Sequence, residues 1–193
     1  MILAFQVESD TVLLRVPMSG DGVILFEALS DMLEVLRKRP NTWGWANEEQ
    51  NAVKSEQYCQ RSHYQWRVGI KWPLMIIDKQ TNKVAGVIEF YWRDWGWEVG
   101  VWSRPIRKID STLSNFNIGE GIMIEAWYAL IDYMLEHGPD SNIQFGIETS
   151  NKAALLLAKR LGGKLLFREV DSSRNNTTFE IFQITKEEVR ARI

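Results

Sequence analysis

The sequence predicts a mixed α/β domain (α+β in its segregation) on a mostly antiparallel sheet, and three observations predict it. Short apolar, β-branched and aromatic runs, Leu74–Asp78, Val84–Trp92 and Trp97–Trp102, are separated only by turn chemistry at Lys79–Lys83 and Arg93–Gly96. Strands joined that closely form an antiparallel meander. Next, Ile122–Leu135 places Met123, Trp127, Leu130, Ile131 and Met134 at the spacing of one helical face. Finally, strand-like and helix-like stretches alternate on both sides of that helix, which asks for a sheet with helices packed on it.

In chain order, Thr11–Val16 reads as the opening strand, and apolar Ile2–Val7 is able to pair with it. Ser19-Gly20-Asp21 offers capping chemistry for a helix over Val23–Arg37, in which Leu25, Leu29, Met32 and Leu36 recur at helical spacing before Pro40 ends it. Trp43-Gly44-Trp45 reads as a loop. Asn47 with Gln50 reads as the start of a more polar helix that runs to about Tyr64. After the meander, the central helix stops at His137-Gly138-Pro139. Ile143–Glu148 alternates like a half-buried strand, and Asn151 is an N-cap for Lys152–Leu161, which ends at Gly162-Gly163. Lys164–Val170 and Thr177–Ile184 read as a terminal hairpin, followed by a capping box of Thr185 and Glu188.

Composition narrows the function classes. A chain of 193 residues is expected to be one domain, 1–193. Its single cysteine, Cys59, leaves no intrachain disulfide and fits a reducing cytoplasm. No run is long and apolar enough to span a membrane, and Met1–Phe5 lacks the basic flank of a signal peptide. Net charge of -2 with mixed signs leaves no nucleic-acid footprint. His63 and His137 have no ligand-like partner spacing, so no metal is expected. Of nine tryptophans, several gather around the Trp92–Trp97 hairpin, the surface expected to carry any homodimer.

The chemistry concentrates at Asn117-Ile118-Gly119-Glu120-Gly121, which leads from the last meander strand into the central helix. Glycines let a backbone approach a phosphate, and the first amides of a helix are free donors at the positive end of its dipole. A glycine pair at a helix start also serves as a plain turn, so both readings stand here.

The order of elements and several short motifs resemble the GNAT acetyltransferases, in particular the RimJ/RimL-type branch that acetylates N-terminal amines of ribosomal proteins. Leu13–Pro17 through Leu25–Asp31 resembles that branch's opening strand and helix, and Trp43 and Trp45 sit where it carries a tryptophan-bearing loop. Leu74–Gly86 is similar to its strand, turn and strand ending in V-x-G. Glu98-Val99-Gly100-Val101-Trp102 resembles its E-I-G-Y-W, and Gly119-x-Gly121 with Glu125-Ala126 resembles its cofactor loop. Asn151, Leu157 and Leu161-Gly162 follow its N-x-x-[SA]-x-x-L-x-x-x-L-G. The likeness covers roughly residues 11–170.

The resemblance implies a sheet splayed between its fourth and fifth strands, with acetyl-CoA as co-substrate and no metal. It implies that Val99, Gly100, Val101 and Trp102 lend backbone groups to the pantetheine arm, while Ile118, Gly119, Glu120, Gly121 and Ile122 cradle the pyrophosphate. The acceptor it implies is a protein N-terminus or a small amine. Direct attack needs a neutral amine, so a carboxylate must remove its proton. Glu98, at the start of the fourth strand, is the first choice, set against a solvated strand end. Glu89 is the second, set against an outward-facing strand carboxylate. Asn151 is both a cap and a candidate cofactor and catalytic contact, and Trp43, Trp45 and Tyr91 are candidates to line the acceptor pocket or are plain packing groups.

The pattern departs from the family in the loop, where Asn117 and Ile118 stand at positions usually basic and Glu120 adds a negative charge. Arg104, Arg107 and Lys108, in a long connection, are expected to restore positive charge for the phosphates. The alternative is a GNAT-shaped module weakened in turnover that acts in binding or assembly.

Overall fold

The computed structural model describes residues 5–38, 44–104, 121–137, 142–172, 176–185 and 187–188. Asn117–Glu120, Pro40, Trp43 and Gly138-Pro139 lie outside them. The strands are β1 (Gln6–Glu8), β2 (Val12–Arg15), β3 (Trp72–Asp78), β4 (Lys83–Arg93), β5 (Gly96–Ser103), β6 (Asn142–Glu148), β7 (Lys164–Asp171) and β8 (Thr177–Thr185), in the sheet order β1-β2-β3-β4-β5-β6-β8-β7. The mixed α/β architecture is the one expected. The chain divides into two compact units, Met1–Phe90 with Gly100–Lys108 and Tyr91–Val99 with Ile109–Ile193.

In the first unit, β1, β2, β3 and β4 pair antiparallel, with Val7 opposite Leu14, Leu14 opposite Ile76, and Ile76 opposite Gly86. The apolar start of the chain therefore does pair with the opening strand. Gly86 is required for space: a Cβ there would stand 2.1 Å from the Trp102 carbonyl oxygen and 2.8 Å from Ser103 Cα. The helices are α1 (Gly22–Ser30), α2 (Leu33–Arg37), α3 (Gly44–Asn47) and α4 (Ala52–Val68). Leu25, Leu29, Met32 and Leu36 are all buried, packed with Cys59, Met75, Ile77, Val84 and Val87.

Three helical expectations need correction. The helix expected over Val23–Arg37 breaks after Ser30, where the Ser30 hydroxyl donates to the Glu27 carbonyl and Asp31 pairs with Arg104 Nη1 at 2.7 Å. Short polar side chains compete with the backbone for such bonds, which weakens helix continuation. Asp21 does not cap α1 with its side chain; Glu56 of α4 accepts from the amides of Gly20 and Gly22 instead, and Ser19 Oγ donates to it at 2.8 Å. Finally, Asn51, not Asn47, caps α4 by accepting from Lys54 N at 2.9 Å, while Gln50 donates to the Trp45 carbonyl and Trp45 lies in α3 rather than in a loop.

Asp21 is held by both guanidinium nitrogens of Arg15, at 2.6 and 2.8 Å, and by the Met18 amide at 2.7 Å. Burial pushes its pKa up, but the Arg15 hydrogen bonds, the Met18 amide and the Arg15 charge outweigh it and hold the carboxyl below its usual value of 3.8. A depressed carboxylate adds stability that is fully present above the unfolded value and is lost as pH falls through the folded one. We expect Asp21→Asn to cost about 2 kcal/mol at neutral pH, a fall in Tm of about 4–8 °C. Thermal melts should show that gap narrowing below about pH 4, and a gap independent of pH would refute the assignment.

In the second unit, α5 (Ile122–His137) and α6 (Lys152–Arg160) pack with β6 and β8 around Trp127, Ile131, Leu135, Phe145, Leu157, Leu161 and Phe182. The buried face of α5 is turned slightly from the expected stripe. Ile122, Ala126 and Leu135 are buried, whereas Met123 and Met134 sit half-buried at its margin. β6 and β8 pair antiparallel with Phe145 opposite Phe182, their rings stacked at 6.0 Å. The capping box at Thr185 and Glu188 forms as expected, with the Thr185 amide donating to Glu188 at 2.9 Å. β7 is the outer strand, and Leu165, Leu166, Phe167 and Val170 are exposed along it. Lys164, Arg168, Glu169 and Asp171 intersperse that apolar edge with charge, which discourages a further strand from adding.

Candidate active site

The site begins with the hairpin that joins β4 to β5. Gly96 adopts φ +119°, and a Cβ on it would meet the Gln144 carbonyl oxygen at 2.9 Å, so glycine alone lets β5 enter the sheet this close to β6. One turn residue back, the Trp95 ring lies on Gly146, where a Cβ would come within 2.3 Å of it, and packs on Phe179 with centroids 5.6 Å apart. The hairpin tip is thereby anchored to β6 and β8.

From that closure, β5 and β6 run parallel for two residue pairs, Trp97 with Phe145 and Glu98 with Gly146. Glu98 stands at the last of these pairs, and β5 continues beyond it through Val99–Ser103. Alternation puts Gly96, Glu98, Gly100 and Trp102 on the buried face and leaves Val99 and Val101 half-buried. The Glu98 carboxylate is only 11% exposed and accepts from Arg93 Nε at 2.7 Å. The Arg93 guanidinium in turn lies over the Tyr91 ring, 5.6 Å from its centroid. Glu98 is not the solvated strand-end carboxylate that was the alternative.

Gly121 opens α5: its carbonyl accepts from Ile124 N at 2.9 Å and from Glu125 N at 3.3 Å. Among the described residues, a Cβ on Gly121 would meet nothing within 4 Å. Amides of a first helical turn have no partner inside the helix, and the dipole favours an anion there. Ile118, Gly119 and Glu120 lie outside the described residues. Asn151 caps α6, its Oδ1 accepting from Ala154 N at 3.2 Å.

In the first unit, Glu89 is not turned out to solvent. Its carboxylate is 12% exposed, accepts from the Tyr58 hydroxyl at 2.7 Å and forms an ion pair with Lys71, whose ammonium lies 5.1 Å above the Tyr58 ring. Trp45 packs half-buried against the Leu25 and Leu29 core. Arg104 is not available to phosphates as expected. Its guanidinium is buried, donates to the Val84 carbonyl at 2.8 Å and pairs with Asp31. Arg107, Lys108 and Trp43 lie outside the described residues.

Sequence reasoning missed Arg93. The signal was present: Arg93 and Glu98 bracket a tight turn five residues apart, which brings opposite charges within reach across a hairpin. It also missed Lys71 and Tyr58, which no local pattern links to Glu89. Among the described residues, no group of three His, Cys, Asp or Glu side chains is placed to hold a metal ion, and no helix is long and apolar enough to cross a membrane.

Residues 12–164 match the acetyltransferase (GNAT) domain. The chain belongs to the GNAT acetyltransferases. No curated protein matches it. Among solved structures, it is similar to the microcin C7 self-immunity acetyltransferase MccE in complex with acetyl-CoA and AMP (20% identity, 92% of this chain and 93% of that one, TM-score 0.69). It is also similar to RimL, the ribosomal L7/L12 alpha-N-protein acetyltransferase in complex with coenzyme A (16% identity, 94% and 98%, TM-score 0.69). A third is the ribosomal-protein-S5-alanine acetyltransferase from Vibrio fischeri (15% identity, 95% and 97%, TM-score 0.66). At these identities the likeness is one of fold.

Proposed function

We propose that this GNAT enzyme transfers an acetyl group from acetyl-CoA to a primary amine, with a protein N-terminal α-amine as the acceptor class. The observation that carries the reading is Glu98, a nearly buried carboxylate at the last paired position between β5 and β6. The solved relatives supply the acceptor class, since two of them act on ribosomal proteins. The helix start at Gly121 and the run of β5 past Glu98 support the co-substrate.

Acetyl-CoA, when bound, supplies a thioester whose carbonyl carbon is open to attack by an amine. Val99, Gly100, Val101 and Trp102 offer strand amides and carbonyls to the pantetheine arm, and one such amide polarises the carbonyl. Ile118, Gly119, Glu120, Gly121 and Ile122 would hold the pyrophosphate, where a helix dipole favours an anion. Glu98 takes the proton from the incoming ammonium, directly or through one water. The neutral amine would then attack the thioester carbon, the C–S bond would break, and the coenzyme A thiolate would leave with the amine's second proton as the free thiol. Asn151 fixes the start of α6 through its cap, and Tyr91 and Trp45 are assigned to the acceptor side. Such an enzyme works in the cytoplasm, where the N-termini of ribosomal proteins are made.

Calorimetry with acetyl-CoA, followed by mass spectrometry on a panel of short peptides with free N-termini, those beginning with alanine included, tests this reading. We expect micromolar cofactor binding and a gain of one acetyl group at the peptide α-amine. No binding at millimolar acetyl-CoA would refute it.

A further inference from the structure

We propose that Arg93 is a positioning residue that fixes the carboxylate of Glu98 for proton abstraction. The inference rests on the reading of Glu98 as the base. Arg93 Nε reaches Glu98 Oε2 at 2.7 Å, and its guanidinium is seated over Tyr91. The two side chains are unequally covered, Arg93 at 35% exposed and Glu98 at 11%, so the arginine holds the carboxylate from the solvent side.

The backbone around the pair is rigid for reasons of packing. Trp95 is wedged on Gly146 and Phe179, Gly96 abuts Gln144, and Trp92 meets Trp97 edge-on with centroids 4.8 Å apart. Both ends of the ion pair therefore hang from a hairpin with little room to move. A glutamate has three side-chain torsions, and each hydrogen bond to its carboxylate narrows the set it samples. A base displaced by about 1 Å loses up to about a hundredfold in rate. A flat guanidinium held on an aromatic face restricts the glutamate more than a flexible ammonium does. The arrangement gives the hairpin Tyr91-Trp92-Arg93-Asp94-Trp95-Gly96 a part in catalysis with no reacting atom on it.

A double-mutant cycle on the best peptide of the panel decides the matter. Arg93→Gln should lower kcat about tenfold, with KM for acetyl-CoA and for peptide within about twofold. Arg93→Lys, which keeps a donor and the charge but not the flat guanidinium, should recover only part of that loss. In a Glu98→Gln background the same Arg93→Gln change should cost nothing further, because there is no base left to orient. Equal losses from Arg93→Gln in both backgrounds, a loss in KM alone, or unchanged kcat would each overturn the proposal. Should Arg93→Gln fail to fold by thermal melt, the cycle is run with Arg93→Lys, whose smaller loss must likewise vanish beside Glu98→Gln. If Glu98→Gln itself keeps the wild-type kcat, the reading of the base fails first, and that outcome is distinct from a silent Arg93.

Discussion

Glu98→Gln is expected to lower kcat by about a hundred- to a thousandfold and to leave acetyl-CoA affinity within about threefold of wild type. Positioned general bases contribute about 10²–10⁴ in rate, and the amide keeps the shape of the carboxylate while losing its proton affinity. Affinity should hold because Glu98 faces the buried side of β5, whereas the groups assigned to the cofactor are backbone amides and carbonyls farther along the strand and at Gly121. Single-turnover acetylation by mass spectrometry, beside calorimetry on the same preparation, reads both quantities. A variant that turns over within threefold of wild type would move the base elsewhere, and Glu89 would be examined next. That carboxylate already holds Tyr58 and Lys71, so it would have to exchange a bound ammonium for the substrate's.

Gly86→Ala should lose about 3 kcal/mol or more, a fall in Tm of roughly 6–12 °C. The added methyl would overlap the Trp102 carbonyl oxygen at 2.1 Å, and the atoms in its way are backbone, which cannot turn aside as a side chain does. Relief requires β5 to move off β4, which would also strain the Arg104 amide's bond to the Ala85 carbonyl. Gly121→Ala is the control, since among the described residues its Cβ meets nothing within 4 Å. A Gly86→Ala melt matching that control would mean the two strands are farther apart than described.

The periodicity of Leu25, Leu29, Met32 and Leu36 correctly showed which face of the first helical stretch is buried. It could not show the break after Ser30, because the partner of Asp31 is Arg104, 73 residues away. Capping signals divide in the same way. Asn151 and the Thr185–Glu188 box act on amides three residues away, and local spacing sufficed. Asp21 has the same short-range appeal but is claimed by Arg15, while Glu56 from another helix takes the amides of Gly20 and Gly22 on either side of it. Strand alternation likewise assigns Glu89 a face without saying that Tyr58 waits there from 31 residues earlier. Motif order located the proposed base, and the five-residue turn between Arg93 and Glu98 was a legible but unread sign of what holds it.

Cys59 lies wholly inside the first unit, and burial, helped by the nearby charges of Asp21 and Glu56, pushes its thiol up to about 12. It is also the only cysteine in the sequence. This chain is thus already a blank background for thiol labelling. A cysteine placed at exposed Asp94, on the turn between Arg93 and Trp95, would take a single fluorophore and report on that hairpin without any native thiol having to be removed.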